Sequence, residues 1–286
     1  MAREDNVKPL WFLVGIYALY IVLSIGRLLP PLLDTYVGVF LPAIFAIVHG
    51  AVRYKWRGSI VFLVNCLVIS NIFENIGVLT GFPFGPYHYT DVLGPKLFLV
   101  PLLIGPGYYG TGYVSWMLAS VVVGEVRRNS SKFITFAVPF IASFIMVSWD
   151  VCFDPESSTL YKQWIWHKGG GYFGVPFTNY LGWFLTVYVF LQIFALYIRA
   201  KDPAAEHTDA LPSQYSWQAI TFYALIAIGY PLVYFFSADP GTMQDATGKL
   251  WAIHDFRETS AMVSLYTMFF AVAVSSIKLL QKRESV

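Results

Sequence analysis

The sequence predicts an all-α fold: a polytopic membrane helix bundle forming one integral-membrane domain over residues 1–286. About eight transmembrane helices are expected, one of them broken, with long loops on the non-cytoplasmic side. Three observations carry this. Hydrophobic residues make up 57% of the chain and charged residues only 13%, a balance that no soluble domain of this length needs. Apolar runs recur at close to the roughly 20 residues that a spanning helix requires. Of the 19 basic residues, thirteen fall on one set of alternating loops and ends and six on the other. That is the asymmetry of the positive-inside rule with both termini cytoplasmic.

In chain order the expected spans are 10–30, 36–52, 59–80, 97–124, 132–152, 179–199, 215–236 and 260–280. MAREDNVKP ahead of the first lacks a cleavable-signal pattern, so that run reads as a retained anchor. The fourth span contains Gly105, Pro106, Gly107, Gly110 and Gly112. This is either a helix unwound beside a wet cavity or one packed tightly through small residues. The fifth ends at Asp150 and Asp154, which share a helix face if the helix persists; Pro155 favours an end at Asp154. The cytoplasmic connections are ordinary charged or polar linkers. The opposite ones, 81–96, 154–179 and 237–260, are long, aromatic and glycine-rich.

The stretch 71–91, NIFENIGVLTGFPFGPYHYTD, organises the rest. Glu74 interrupts an apolar helix, where a charge costs at least roughly 2.5–3.5 kcal/mol, so an idle glutamate is unexpected there. Asn71, Glu74 and Asn75 are spaced three and four residues apart and are expected on one helix face, where the structural alternative is a buried glutamate tying helices together through the two amides. In the last loop Asp239, His254, Asp255, Arg257 and Glu258 read as a local charge network. The net charge of +2 offers no basic stripe for nucleic acid. His49, His88, His167, His207 and His254 show no paired metal spacing, and Cys66 and Cys152 sit in or beside apolar segments as packing residues. Neither a dinucleotide fingerprint nor a phosphate loop occurs in a strand–turn–helix context. What remains is a carboxyl set, Glu74, Asp150 and Asp154, suited to acid–base chemistry on an apolar substrate without metal or cofactor.

FENIGVLTGFPFGPYHYT, then LGPK and VP, then WDVCFDP, then WIWHKGGGYFGVPFTNYLGW together resemble the integral-membrane carotenoid biosynthesis family. That family includes hydratases of the bisanhydrobacterioruberin and carotenoid 1,2-hydratase type. The motif-bearing resemblance runs from about Glu74 to Trp183. It implies addition of water across the terminal 1,2 double bond of an acyclic carotenoid, through a tertiary carbocation. Glu74, the deepest carboxyl, is then the expected proton donor, with Asp150 or Asp154 activating water. Asn71, Asn75, Tyr87, His88, Trp149, Trp164, Trp166, Tyr172 and Asn179 are the expected substrate-binding residues, the aromatic faces offering stabilisation to a cation. Expected partners are the carotenoid, membrane lipid and other enzymes of the same pathway. Three other readings stand beside this one: end-group cyclisation or isomerisation, a pigment-binding scaffold, and a proton-coupled transporter. The transporter would show a repeated half-chain with paired broken helices, and no such repeat is evident.

Overall fold

A computed structural model describes residues 7–202, 211–237 and 240–284, so His207 and Asp239 lie outside the described residues. The helices are α1 (Leu10–Ile25), α2 (Pro31–Thr80), α3 (Ile104–Val123), α4 (Lys132–Pro155), α5 (Phe177–Lys201), α6 (Ser213–Phe236), α7 (Ile253–Val263) and α8 (Phe269–Glu284). A π-helical turn, Ser264–Met268, joins α7 to α8, and another, Glu156–Leu160, extends α4. Five helices are long and apolar enough to cross a membrane: Pro31–Thr80, Lys132–Leu160, Phe177–Lys201, Ser213–Phe236 and Ile253–Lys282. The chain is an integral membrane protein. The expected total of eight adds both limbs of α2, the shorter α1 and the largely buried α3.

A straight helix of α2's 50 residues would run roughly 75 Å, more than twice the bilayer core. It does not run straight. At Lys55 (φ 58°, ψ 167°) the chain reverses, and Ser59 Oγ donates to the Ile47 carbonyl at 3.0 Å, twelve residues back. Gly50 permits this, since a Cβ there would lie 2.7 Å from Ser59 Oγ. The expected spans 36–52 and 59–80 are therefore two limbs of a helical hairpin. On the second limb Ile60, Val64, Val68, Ile72 and Ile76 recur every four residues and stay exposed, a stripe suited to lipid. At this end of the bundle the Arg53 guanidinium pairs with Asp202 at 3.2 Å and with Glu125 at 3.4 Å.

The expected break in the fourth span is absent. α3 begins only at Ile104 and continues to Val123, while residues 96–101 form a small hairpin of β2 (Lys96–Leu97) and β3 (Val100–Pro101). Pro106 falls in the first helical turn, where its missing N–H has no intrahelical role. Gly110 lets α3 touch α2, because a Cβ there would lie 2.6 Å from Pro42 Cβ and 2.8 Å from its carbonyl carbon. Gly112 faces the Phe190 ring of α5 in the same way. Close packing through small residues is what these glycines do. α3 is accordingly the central helix, contacting α2, α4, α5, α6 and α8.

α4 also departs from expectation, running through Pro155 into the π turn rather than ending at Asp154. A proline has no N–H for the carbonyl four residues earlier. Here that carbonyl, on Val151, accepts from Tyr172 Oη at 3.2 Å instead. The remaining strands gather at one end of the bundle: β1 (Tyr87–Tyr89) pairs antiparallel with β4 (Trp164–Trp166), and β5 (Thr242–Gln244) with β6 (Leu250–Ala252).

Candidate active site

Glu74 points into the bundle from the second limb of α2 and is only 3% exposed. Three tyrosine hydroxyls meet it. Tyr87 and Tyr89 donate to Oε2, the latter at 2.8 Å, and Tyr108 donates to Oε1 at 2.7 Å. Strand alternation explains the first two: in β1, Tyr87 and Tyr89 face inward and His88 outward. The strand is held in place by Phe84, whose ring lies between Gly77 of α2 and Gly182 of α5. A Cβ on either glycine would come within 2.6 Å of that ring. Tyr108 comes from the first turns of α3 and stacks on Trp183 at 4.1 Å and 7°.

Continuation of α4 past Pro155 puts Asp150 and Asp154 on one buried face. The Asn179 amide of α5 bridges them, donating to Asp150 Oδ2 at 3.2 Å and Asp154 Oδ2 at 2.5 Å. Trp164 Nε1 of β4 donates to Asp154 Oδ1 at 2.7 Å, so both oxygens of Asp154 are engaged. Asp150 Oδ1 is buried without a partner. Asp150 feels the fields of both Asp154 and Glu74, so the fold gathers into one neighbourhood three carboxyls that are distant in sequence.

Glu74 borders a cavity of about 1020 Å³, at the upper end of the usual size range of small-molecule sites. Arg27, Pro31, Val92 and Tyr161 rim it, and Tyr17, Pro42 and Thr111 lie among its deeper lining. Tyr87, Trp149, Trp164, Trp166 and Asn179 line the wall near Glu74, together with Tyr89, Phe153, Tyr108 and Trp183. The aromatics touch one another. Trp149 stacks on Phe153 at 4.6 Å and meets Trp183 edge-on at 5.9 Å, and Tyr87 lies 4.9 Å from Trp166. Asp150 and Asp154 are not themselves among the lining and sit behind Asn179 and Trp164.

Four of the residues expected to bind substrate lie elsewhere. Asn75 Nδ2 donates to Asn71, at 2.8 Å to its carbonyl, while Asn75 Oδ1 accepts from Leu99 N at 3.1 Å. The two amides thus tie α2 to the β2–β3 hairpin and do not bond Glu74. His88 is exposed on the outer face of β1, 2.7 Å from His167. Tyr172 serves the Val151 carbonyl. His49 is a core residue, bonded to Tyr113 Oη at 2.6 Å and the Tyr215 carbonyl at 2.9 Å. Arg257 reaches Glu156, beside Tyr161 at the cavity rim. Tyr89, Tyr108 and Trp183 are the site residues that the sequence reading missed. The period-two YHY pattern pointed to Tyr89, whereas tyrosine in an apolar helix carries no such mark.

The profile of the carotenoid biosynthesis protein family matches residues 33–238, more than two thirds of the chain. The chain belongs to this family. No curated protein and no solved structure matches it. In this carotenoid biosynthesis protein the matched segment contains the three carboxyls, their tyrosine and tryptophan partners and Asn179. Tyr17, Tyr20 and Ile21 of α1 and Ile253 and Arg257 of α7 also line the cavity but fall outside it. The carboxyl end of the cavity thus lies within the matched segment, and part of its remaining wall is built from flanking helices.

Proposed function

We propose that this carotenoid biosynthesis protein is a hydratase that adds water across the terminal 1,2 double bond of an acyclic carotenoid. The observation that carries the reading is the arrangement of carboxyls around the cavity: one, Glu74, in its aromatic wall, and two, Asp150 and Asp154, directly behind. Glu74 protonates the less substituted alkene carbon, leaving a tertiary carbocation. The faces of Trp149, Trp164 and Trp166 suit a developing positive charge in a water-poor site. Water captures the cation and gives its proton to a carboxylate. Asp150 is the better placed of the pair for that, because its Oδ1 takes no donor while each oxygen of Asp154 already takes one. Asn179 lines the cavity and holds the two carboxyls in register, and the water that gives its proton to Asp150 reaches it past this amide.

The test is expression in a host that accumulates an acyclic carotenoid, followed by mass analysis of the pigments. Hydration adds the mass of one water for each end that reacts. A product of unchanged mass with altered absorption would assign the fold to cyclisation or isomerisation instead. Unaltered pigment would point to binding without catalysis.

A further inference from the structure

The two oxygens of Glu74 are not equivalent. A carboxylate oxygen offers two lone-pair directions. Oε2 takes two hydroxyls, Tyr87 and Tyr89, and is filled. Oε1 takes only Tyr108, at 2.7 Å, and keeps one direction open. The two sets of donors also have separate supports. Tyr87 and Tyr89 share strand β1, whereas Tyr108 belongs to α3. Its ring is 1% exposed and lies flat on Trp183, so the hydroxyl is held still from a direction that the strand does not control. Tyr108, Trp183 and Glu74 all border the cavity.

We propose that Tyr108 is a positioning residue that fixes Glu74 with Oε1 as the oxygen that carries and delivers the proton. The proposal rests on the reading of Glu74 as the acid. In the step, the Oε1–H bond breaks and its electrons stay on the carboxylate. The proton bonds to the less substituted alkene carbon through the alkene π pair, and the other carbon becomes the tertiary cation. All three hydroxyls then donate to the anion, in charge-assisted bonds stronger than those to the neutral acid. Loss of the Tyr108 hydroxyl leaves the carboxyl anchored through Oε2 alone and free to pivot. A displacement of about 1 Å at a reacting atom is enough to cost about 10²-fold in rate.

The experiment compares Tyr108→Phe, Tyr89→Phe and Glu74→Gln as purified proteins in detergent, with an acyclic carotenoid as substrate. Each tyrosine variant removes one buried hydroxyl from the same carboxyl, so a merely structural role predicts equal effects. Positioning predicts asymmetry: Tyr108→Phe loses about 10²-fold in kcat with KM nearly unchanged, and Tyr89→Phe loses clearly less because Tyr87 still holds Oε2. Equal losses in the two variants, or a loss confined to KM, overturn the proposal. If Tyr108→Phe does not fold, Trp183→Phe keeps the hydroxyl but loosens its stack. The expected result is then a fall in kcat at constant KM, and an unchanged kcat overturns the proposal. Glu74→Gln separates the two levels. Retained turnover there removes the acid assignment and the positioning role with it, whereas lost turnover with equal tyrosine variants removes only the positioning role.

Discussion

Glu74 and the aspartate pair differ in how much of their bonding a neutral amide can reproduce. Glu74→Gln keeps volume and an acceptor among the three tyrosine hydroxyls, each of which can also accept from the new amide. The folded protein is expected to survive while the transferable proton is lost. General acid catalysis is worth roughly 10²–10⁴-fold, so turnover in a single-turnover pigment assay should fall by at least the lower figure. A folded Gln variant with normal turnover would move the acid's role to Asp150. The aspartates should be unequal. Asp154→Asn sets an amide donor against either Trp164 Nε1 or the Asn179 amide, and a buried clash of donors costs about 1–3 kcal/mol. Asp150→Asn can turn its carbonyl oxygen to Asn179 and its amide toward the unpartnered side. Melting in detergent should therefore drop for Asp154→Asn, whereas Asp150→Asn should stay near wild type in stability and lose activity. The carboxyls were legible in the sequence because a charge in an apolar run stands out. Of their donors, Tyr87, Trp164 and Asn179 stood out in the aromatic loops, whereas Tyr108 did not, because it and its stacking partner Trp183 in apolar helices look like packing. Tyr172 became legible only once its long-range bond to the Val151 carbonyl was seen.

At the scale of elements, the sequence announced most spans through hydropathy and the α2 reversal through the charged stretch VRYKWRGS. Clustered glycines were ambiguous, since unwinding and close approach have the same composition. Gly110 and Gly182 resolve to close approach, the latter with Phe84 and the Pro83 carbonyl group against it. Gly182→Ala should push Phe84 and strand β1 away from α5, costing about 1–3 kcal/mol by overpacking, read as a lowered melting temperature. Strand β1 also carries an acid-sensitive residue on its outer face, His88, which lies 2.7 Å from His167. Burial, His167 and Lys96 together hold the His88 imidazole below its usual value. The unfolded chain accepts a proton at His88 near pH 6.5 that the folded chain resists there. This contribution is therefore present above that pH and is lost as pH falls through and below it. Melting temperature should decline between about pH 8 and about pH 5. Part of that decline should vanish in His88→Gln, and an identical slope in wild type and variant would remove His88 as its source.

For the whole molecule, the three two-stranded sheets, the cavity rim and the carboxyl cluster all lie at one end of the bundle, and the Arg53–Asp202–Glu125 pairs lie at the other. The excess of lysine and arginine belongs to the second end, so the site should open on the non-cytoplasmic side of the membrane. Single introduced cysteines can decide this without altering the native ones, since Cys66 and Cys152 are both buried. Lys168 in the loop after β4 and Arg128 between α3 and α4 are exposed and lie at opposite ends. Ser158 is unsuitable as a probe, because it is buried and its hydroxyl donates to the Asp154 carbonyl at 2.8 Å. With an impermeant thiol reagent on intact cells, Lys168→Cys should label directly and Arg128→Cys only after the membrane is opened. Labelling of both from one side would break the alternation that places both termini in the cytoplasm. A reversed pattern would keep the bundle but turn the cavity to the cytoplasm, so that substrate enters from the opposite leaflet.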